Sequence, residues 1–545
     1  MDPSSAFGGS WTAVGFDNEE ASWPIAGDLE DDFLPSMDSP FAGFTNIRSV
    51  ENLSSPDNFH HHLSAQYASP ESPFRSEILS SPDSFHHYLS TQYTSPRSPF
   101  ISGHFMPLPN SLTLSTRAHH ALGHYQTTFS IYRTTKDPKW STHKLLLDLG
   151  AKSTMIMQFI LAVAINDVCH RQQHEGSFEA QEYFEAGARE LIETIKKDSE
   201  EDFVVAMAGF LFLYWYMPKR KSVPRERIQQ LSMTVLTYLK RHKLDSRCLE
   251  SEVESSAGET SSGLSDRDRP VLARLIIWTF DEDVKCGFQG SGGYLAAYLT
   301  AHRERTMAVY EVSRTALNAY WGTEYPEAQT SDDDDNAMEL EFLWALTALW
   351  QDINELSQSQ SLPHSEAHRR IAQRFSLLEK KYSSVFQKSA ITTKPRNRVL
   401  INADYDIILF HALRVYYFRT TTVDSNTAEI PPDVQMALKH MLDIIKRTFA
   451  SKSRASNDLH DRLQWPFFLA GIETDDGIYR DWIVSNITNQ RAKEALQKTI
   501  DHQSCSGKRL AMSVIKALLC ESELVSSYPL SEENSFLETI IERDF

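Results

Sequence analysis

From about Ser115 onward, apolar residues recur at three- and four-residue spacing, the period of a helix with one buried face. The pattern predicts helices over His120–Tyr132, Leu145–Asp167, Glu179–Lys197, Phe203–Tyr216 and Arg227–Lys240. A polar insert at 247–266, ending in ETSSGLSD, reads as a loop. The period then resumes over Val271–Cys286, Gly293–His302, Thr306–Tyr320, Ala337–Leu356 and His368–Phe386. It continues over Asn402–Thr420, Asp433–Phe449, Arg491–Asp501, Arg509–Leu519 and Ser535–Glu542. No stretch alternates with the two-residue period of a strand. The expectation for 111–545 is therefore an all-α body of more than a dozen helices, with a stacked superhelical array as one arrangement.

Two runs, Met155–Ile165 and Phe203–Met217, are nearly free of charge. Each falls short of the ~18–20 apolar residues that span a bilayer, so both are expected as buried central helices and no membrane contact is expected.

Residues 1–110 show neither period and are rich in Ser, Pro, Gly and Asp, which predicts a disordered tail. Within it Leu53–Phe74 recurs as Leu79–Phe100, a tandem duplication offset by 26 residues. Two copies without a buriable face do not make a solenoid; a duplicated linear motif is the better reading. Between Phe16 and Phe44, the bulky Trp23, Leu29, Phe33, Leu34, Phe41 and Phe44 alternate with acids such as Asp28, Glu30, Asp31 and Asp32. Acids keep such side chains solvated until a partner groove captures them, the composition of an activation region. An ordinary solubilising tail is the competing reading. Seven Ser-Pro dipeptides (Ser39, Ser55, Ser69, Ser72, Ser81, Ser95, Ser98) offer sites for proline-directed phosphorylation.

The net charge of −19 is uneven: the tail holds Arg48, Arg75 and Arg97 against about fourteen acids, roughly half of the excess. Because cations supply most nucleic-acid affinity, an acidic chain disfavours DNA contact by the body as a whole. Cys169, Cys248, Cys286, Cys505 and Cys520 are scattered and odd in number, which suits reduced thiols in cytosol or nucleus. The start, MDPSSAFGGS, has no basic and apolar leader pattern. One basic stretch, PKRKSVPRER, stands out through Lys219, Arg220, Lys221, Arg225 and Arg227. It reads either as a nuclear import cluster or as charge at the end of the Phe203 helix, favoured by the dipole.

Chemical constellations are sparse. His120 and His124 share a helix face at metal-ligand spacing, but no third ligand is nearby. Gly290-Ser291-Gly292-Gly293 lacks both the nucleophile-elbow spacing and a Gly-Lys-Ser/Thr phosphate loop. Asp281, Glu282 and Asp283, with Asp332–Asp335, are similar to the Mg²⁺-binding acids of helical terpene cyclases. The second run, however, precedes the Ala337 helix, where acids complement a helix N-terminus. Neither a catalytic nor a metal-binding residue is assigned.

The stretch Leu463–Ile483, LQWPFFLAGIETDDGIYRDWI, runs from apolar through small to acidic residues. Pro466 fits a helix's first turn, and Ala470 and Gly471 allow a second helix close. WPFFLAGIETDD, and within it Trp465, Pro466, Ala470, Gly471 and Glu473, resembles the fungus-specific transcription factor domain, the helical regulatory region of binuclear zinc cluster proteins. Arg274–Pro326 and Ile407–Arg419 (IILFHALRVYYFR) are similar to the same family, and the resemblance covers roughly 115–545. It implies a nuclear transcriptional regulator, with an activator the favoured form, and no enzyme. It also implies a metabolic or secondary-metabolite gene set as target. The family's C-x2-C-x6-C repeats, which hold two zinc ions, are absent, so no zinc or other cofactor is expected in this chain. DNA would be reached through a DNA-binding partner or a zinc cluster encoded upstream of Met1, with transcriptional co-regulators engaging the acidic tail. A non-transcriptional interaction or sensor module is the alternative, and a Mg-dependent helical lyase a remote one.

Overall fold

The computed structural model describes residues 112–172, 177–197, 199, 202–220, 223–250, 264–358, 366–391, 397–421, 430–450 and 461–520. Among them are twenty-one α-helices and no strand. The first group is α1 (Thr116–His124), α2 (Thr142–Lys152), α3 (Thr154–Arg171), α4 (Phe178–Lys197), α5 (Phe203–Tyr216), α6 (Arg225–His242) and α7 (Leu244–Arg247). The second is α8 (Asp268–Phe288), α9 (Tyr294–Ala301), α10 (Arg303–Arg314), α11 (Ala316–Trp321) and α12 (Glu327–Asp335). The third is α13 (Ala337–Gln358), α14 (Glu366–Lys381), α15 (Ser383–Ala390), α16 (Arg398–Thr421) and α17 (Pro432–Ala450). The chain closes with α18 (Gln464–Glu473), α19 (Gly477–Asn486), α20 (Gln490–Ser506) and α21 (Met512–Cys520). The acidic-aromatic segment, the tandem duplication, Lys221 and the Ser535–Glu542 helix lie outside the described residues.

Helix α5 is buried at every position except Val205, which explains its apolar character on all sides. It packs against α3 and α8; α3 pairs along α4, α8 also carries α10 and α11, and α13 and α17 flank α16. One apolar core runs through all three groups. Close approach depends on small residues: a Cβ on Gly187 of α4 would stand 3.1 Å from the Phe159 ring of α3.

Several predicted helices divide. Leu145–Asp167 is α2 and α3, broken at Ser153, whose extended backbone and hydroxyl cap α3 at the Ile156 N–H. Thr306–Tyr320 breaks at Thr315, and His368–Phe386 breaks at Tyr382. In each case both halves bury a face in the same core, so apolar spacing continues across the break. The His120–Tyr132 segment is α1, followed by a π turn (Tyr125–Phe129) and a 3-10 turn. Helices α12 and α19 were not predicted, because α12 has no buried residue and α19 only Ile483. No described helix is long and apolar enough to cross a membrane.

The Asp332–Asp335 run does precede α13, as expected, but it also forms the last turn of α12, where its charge opposes that helix's dipole. Two of the four are compensated across the fold: Lys136 Nζ lies 2.6 Å from Asp333 Oδ1 and 3.2 Å from Asp332 Oδ2, and Arg398 pairs with Asp332.

Candidate functional site

A cavity of about 770 Å³ lies inside the helical body, within the range of small-molecule sites. Its lining comes from segments far apart in sequence: Arg133 after α1, His143 on α2, Trp215 on α5, Arg274 and Trp278 on α8, Trp350 on α13, and Trp465 on α18. At its heart His143 stacks on Trp215 with ring centroids 5.3 Å apart and meets the edge of Trp278 at 5.5 Å. Trp350 and Trp465 stack at 3.9 Å on another part of the wall.

Charge on this wall is mostly paired. Lys285 holds Asp281 and Glu282 at 2.6 and 3.0 Å, and Lys136 and Arg398 hold Asp332 and Asp333. Among the described residues, Arg133, Arg274 and Arg462 on this wall have no carboxylate within ion-pair distance. Arg133 lies over the Phe129 and Trp215 rings at 4.5 and 5.4 Å. Arg274 donates to the Thr142 hydroxyl and the Ser313 carbonyl, 5.8 Å from the Trp278 ring. Arg462 lies 3.9 Å over Tyr405.

The lining residues also carry buried polar atoms without a hydrogen-bond partner among the described residues: Arg133 Nε, His143 Nε2, Tyr310 OH, Trp350 Nε1 and Trp465 Nε1. His143 is 1% exposed and its Nδ1 is engaged by Tyr125 OH at 3.2 Å. Burial, helped by the Arg133 charge, pushes its pKa down to about 3, so the ring is neutral at physiological pH.

The WPFFLAGIE segment forms α18 and supplies part of the cavity wall. Pro466 occupies the first turn, where its missing N–H costs nothing. Ala470 is buried, and a Cβ on Gly471 would come within 2.8 Å of Leu496 on α20. Glu473 ends the helix fully buried, its Oε1 2.6 Å from Arg419 Nε and its Oε2 3.9 Å from Arg509 Nε. Burial raises the Glu473 carboxyl above its usual value, opposed by Arg419. This ion pair joins the end of α18 to α16 and serves the fold.

The other candidate residues are engaged structurally. Asp283, buried on α8, reaches the start of α9 and accepts from the Gly293 and Ala296 N–H groups and from Tyr214 OH. Gly292, with φ +99, makes that approach possible, since a Cβ there would sit 3.0 Å from Asp283 Oδ1. The Gly-Ser-Gly-Gly turn is therefore a seat for an aspartate. His124 Nε2 lies 3.0 Å from Asp167, while His120 is exposed on α1. Among the described residues no group of three His, Cys, Asp or Glu is placed to hold a metal. Lys219 also faces Asp167, at 3.4 Å, and Arg220 donates to Gln181. Although burial opposes it, Lys219, His124 and Arg171 hold the Asp167 carboxyl well below its usual range. Arg225 is exposed and Arg227 reaches Gln230, so the basic stretch divides between anchored and accessible charge.

Sequence reasoning missed Arg133, His143, Trp215 and Trp278 as a group, because nothing in their spacing brings them together. No curated protein and no solved structure matches the chain. A family match covers 331–516, from α12 to α21, and takes in the Ile407–Arg419 and Leu463–Ile483 stretches but not Arg274–Pro326. That family is not known for enzymes. Residues 331–516 match the model of the Fungal specific transcription factor domain.

Proposed function

We propose that the chain is a nuclear transcriptional regulator of the zinc-cluster type in which the helical body governs an activating N-terminal tail. The match at 331–516 carries this reading. The alternation of acids with Trp23, Phe33 and Phe41 supports the activating role, and co-regulators that bind amphipathic segments are the partners it fits. The acidic balance of the chain supports recruitment to promoters through a DNA-binding partner or a zinc-cluster segment beyond this sequence. Lys221, Arg225 and Arg227 are the basic residues best suited to nuclear import, since Lys219 and Arg220 are held in the body. A metabolic gene set is the target class that the family suggests.

The test is a fusion of residues 1–110 to a heterologous DNA-binding domain upstream of a reporter. The expected result is activation at least tenfold above the unfused domain, mostly lost when Trp23, Phe33 and Phe41 become Ala. Activation that is absent, or that survives the triple change, contradicts the proposal.

A further inference from the structure

The cavity combines three features that rarely coincide without a ligand. It is large, its lining mixes indole and phenyl rings with charged side chains of both signs, and the unsatisfied atoms of those lining residues are mainly donors. Indole N–H groups and an arginine Nε can only donate, and a tyrosine hydroxyl readily does so. Several donors buried without a partner among the described residues leave the lining short of acceptors.

Charge narrows the class further. Arg133 and Arg274 both lie against the His143–Trp215–Trp278 cluster, and among the described residues neither has a carboxylate within ion-pair distance, Asp333 being near enough to Arg274 only to act on its charge. Guanidinium groups match planar carboxylates in a two-pronged geometry, and half-buried cations gain most from an anion that replaces lost hydration. Flat aromatic walls favour a flat aromatic body, through stacked and edge contacts with the tryptophans.

We propose that this cavity binds a planar aromatic carboxylate, its acid group held by Arg133 and Arg274 beside His143 and its rings set against Trp215 and Trp278. Arg133, His143, Trp215, Arg274 and Trp278 lie outside 331–516, while Trp350 and Trp465 lie inside it. Binding stands apart from the transcriptional reading: an inactive tail fusion leaves it untouched, and an empty cavity leaves the tail untouched.

The experiment is isothermal titration calorimetry on the full chain with 2-naphthoate and, as the uncharged counterpart of the same shape, 2-naphthalenemethanol. The acid is expected to bind one to one and at least tenfold more tightly than the alcohol. Arg133→Gln and Arg274→Gln should each weaken the acid at least fivefold while moving the alcohol less than twofold. Lysine at either position should recover part of the loss. Circular dichroism confirms that each variant is folded; where one is not, the ratio of acid to alcohol on the unaltered chain decides. No saturable binding of naphthoate, equal affinity for acid and alcohol, or equal weakening of both by the arginine changes overturns the proposal.

Discussion

His411 of α16 is 7% exposed, and its Nδ1 has no hydrogen-bond partner. Burial, with the His440 and Arg414 charges beside it, pushes its pKa down to about 3. A base whose folded pKa lies below its unfolded value of about 6.5 leaves stability unaffected well above 6.5. As pH falls below that, the unfolded chain binds a proton that the folded chain refuses, and stability drops. From pH 7 to 5 one such histidine costs about 2 kcal/mol. Thermal melts should therefore show the midpoint falling over this interval, and His411→Phe should flatten the fall. Asp283 and Asp406, whose carboxyls burial raises, act in the opposite sense but are present in both proteins, so the difference isolates His411. An unchanged slope in the variant contradicts the assignment. At this scale the sequence shows residue types and little of their environment. Trp465 and Glu473 stood out because they sit in a recognisable string. Arg133 and His143 did not, since their meaning comes from tryptophans about 70 to 145 positions away.

At the scale of elements, apolar period locates most helices because a buried face is what holds a helix in water. It cannot see a break such as Ser153, where capping redirects the chain while the next helix reuses the same core. It also passes over α12, which buries nothing and is tied down by charge. That difference gives a prediction. Asp332 and Asp333 hold Lys136, itself 5% exposed, whereas Asp334 and Asp335 are exposed at an unfavourable helix end. Asp332→Asn with Asp333→Asn should destabilise the protein by about 1–3 kcal/mol, since it leaves a buried ammonium unpaired. Asp334→Asn with Asp335→Asn removes the same charge and should change stability by less than about 0.5 kcal/mol, or raise it. Chemical denaturation of both double variants distinguishes pairing from net charge; equal losses contradict the ion-pair account.

For the whole molecule, the all-helical class of the described residues was legible from period. The cavity was not, because volume enclosed by helices leaves no mark on the spacing within any one of them. The cavity spans the matched boundary: α18, within the family match, contributes Trp465, and α8, outside it, contributes Arg274. A ligand there would touch elements on both sides of the matched boundary. The central claim, however, concerns gene control and is tested most directly by chromatin immunoprecipitation of the epitope-tagged full chain in the cells that encode it. The account predicts discrete promoter enrichment at least fivefold above an untagged control, by direct contact or through a partner. Uniform background across the genome, with the protein confined to the cytosol under every growth condition, would contradict it.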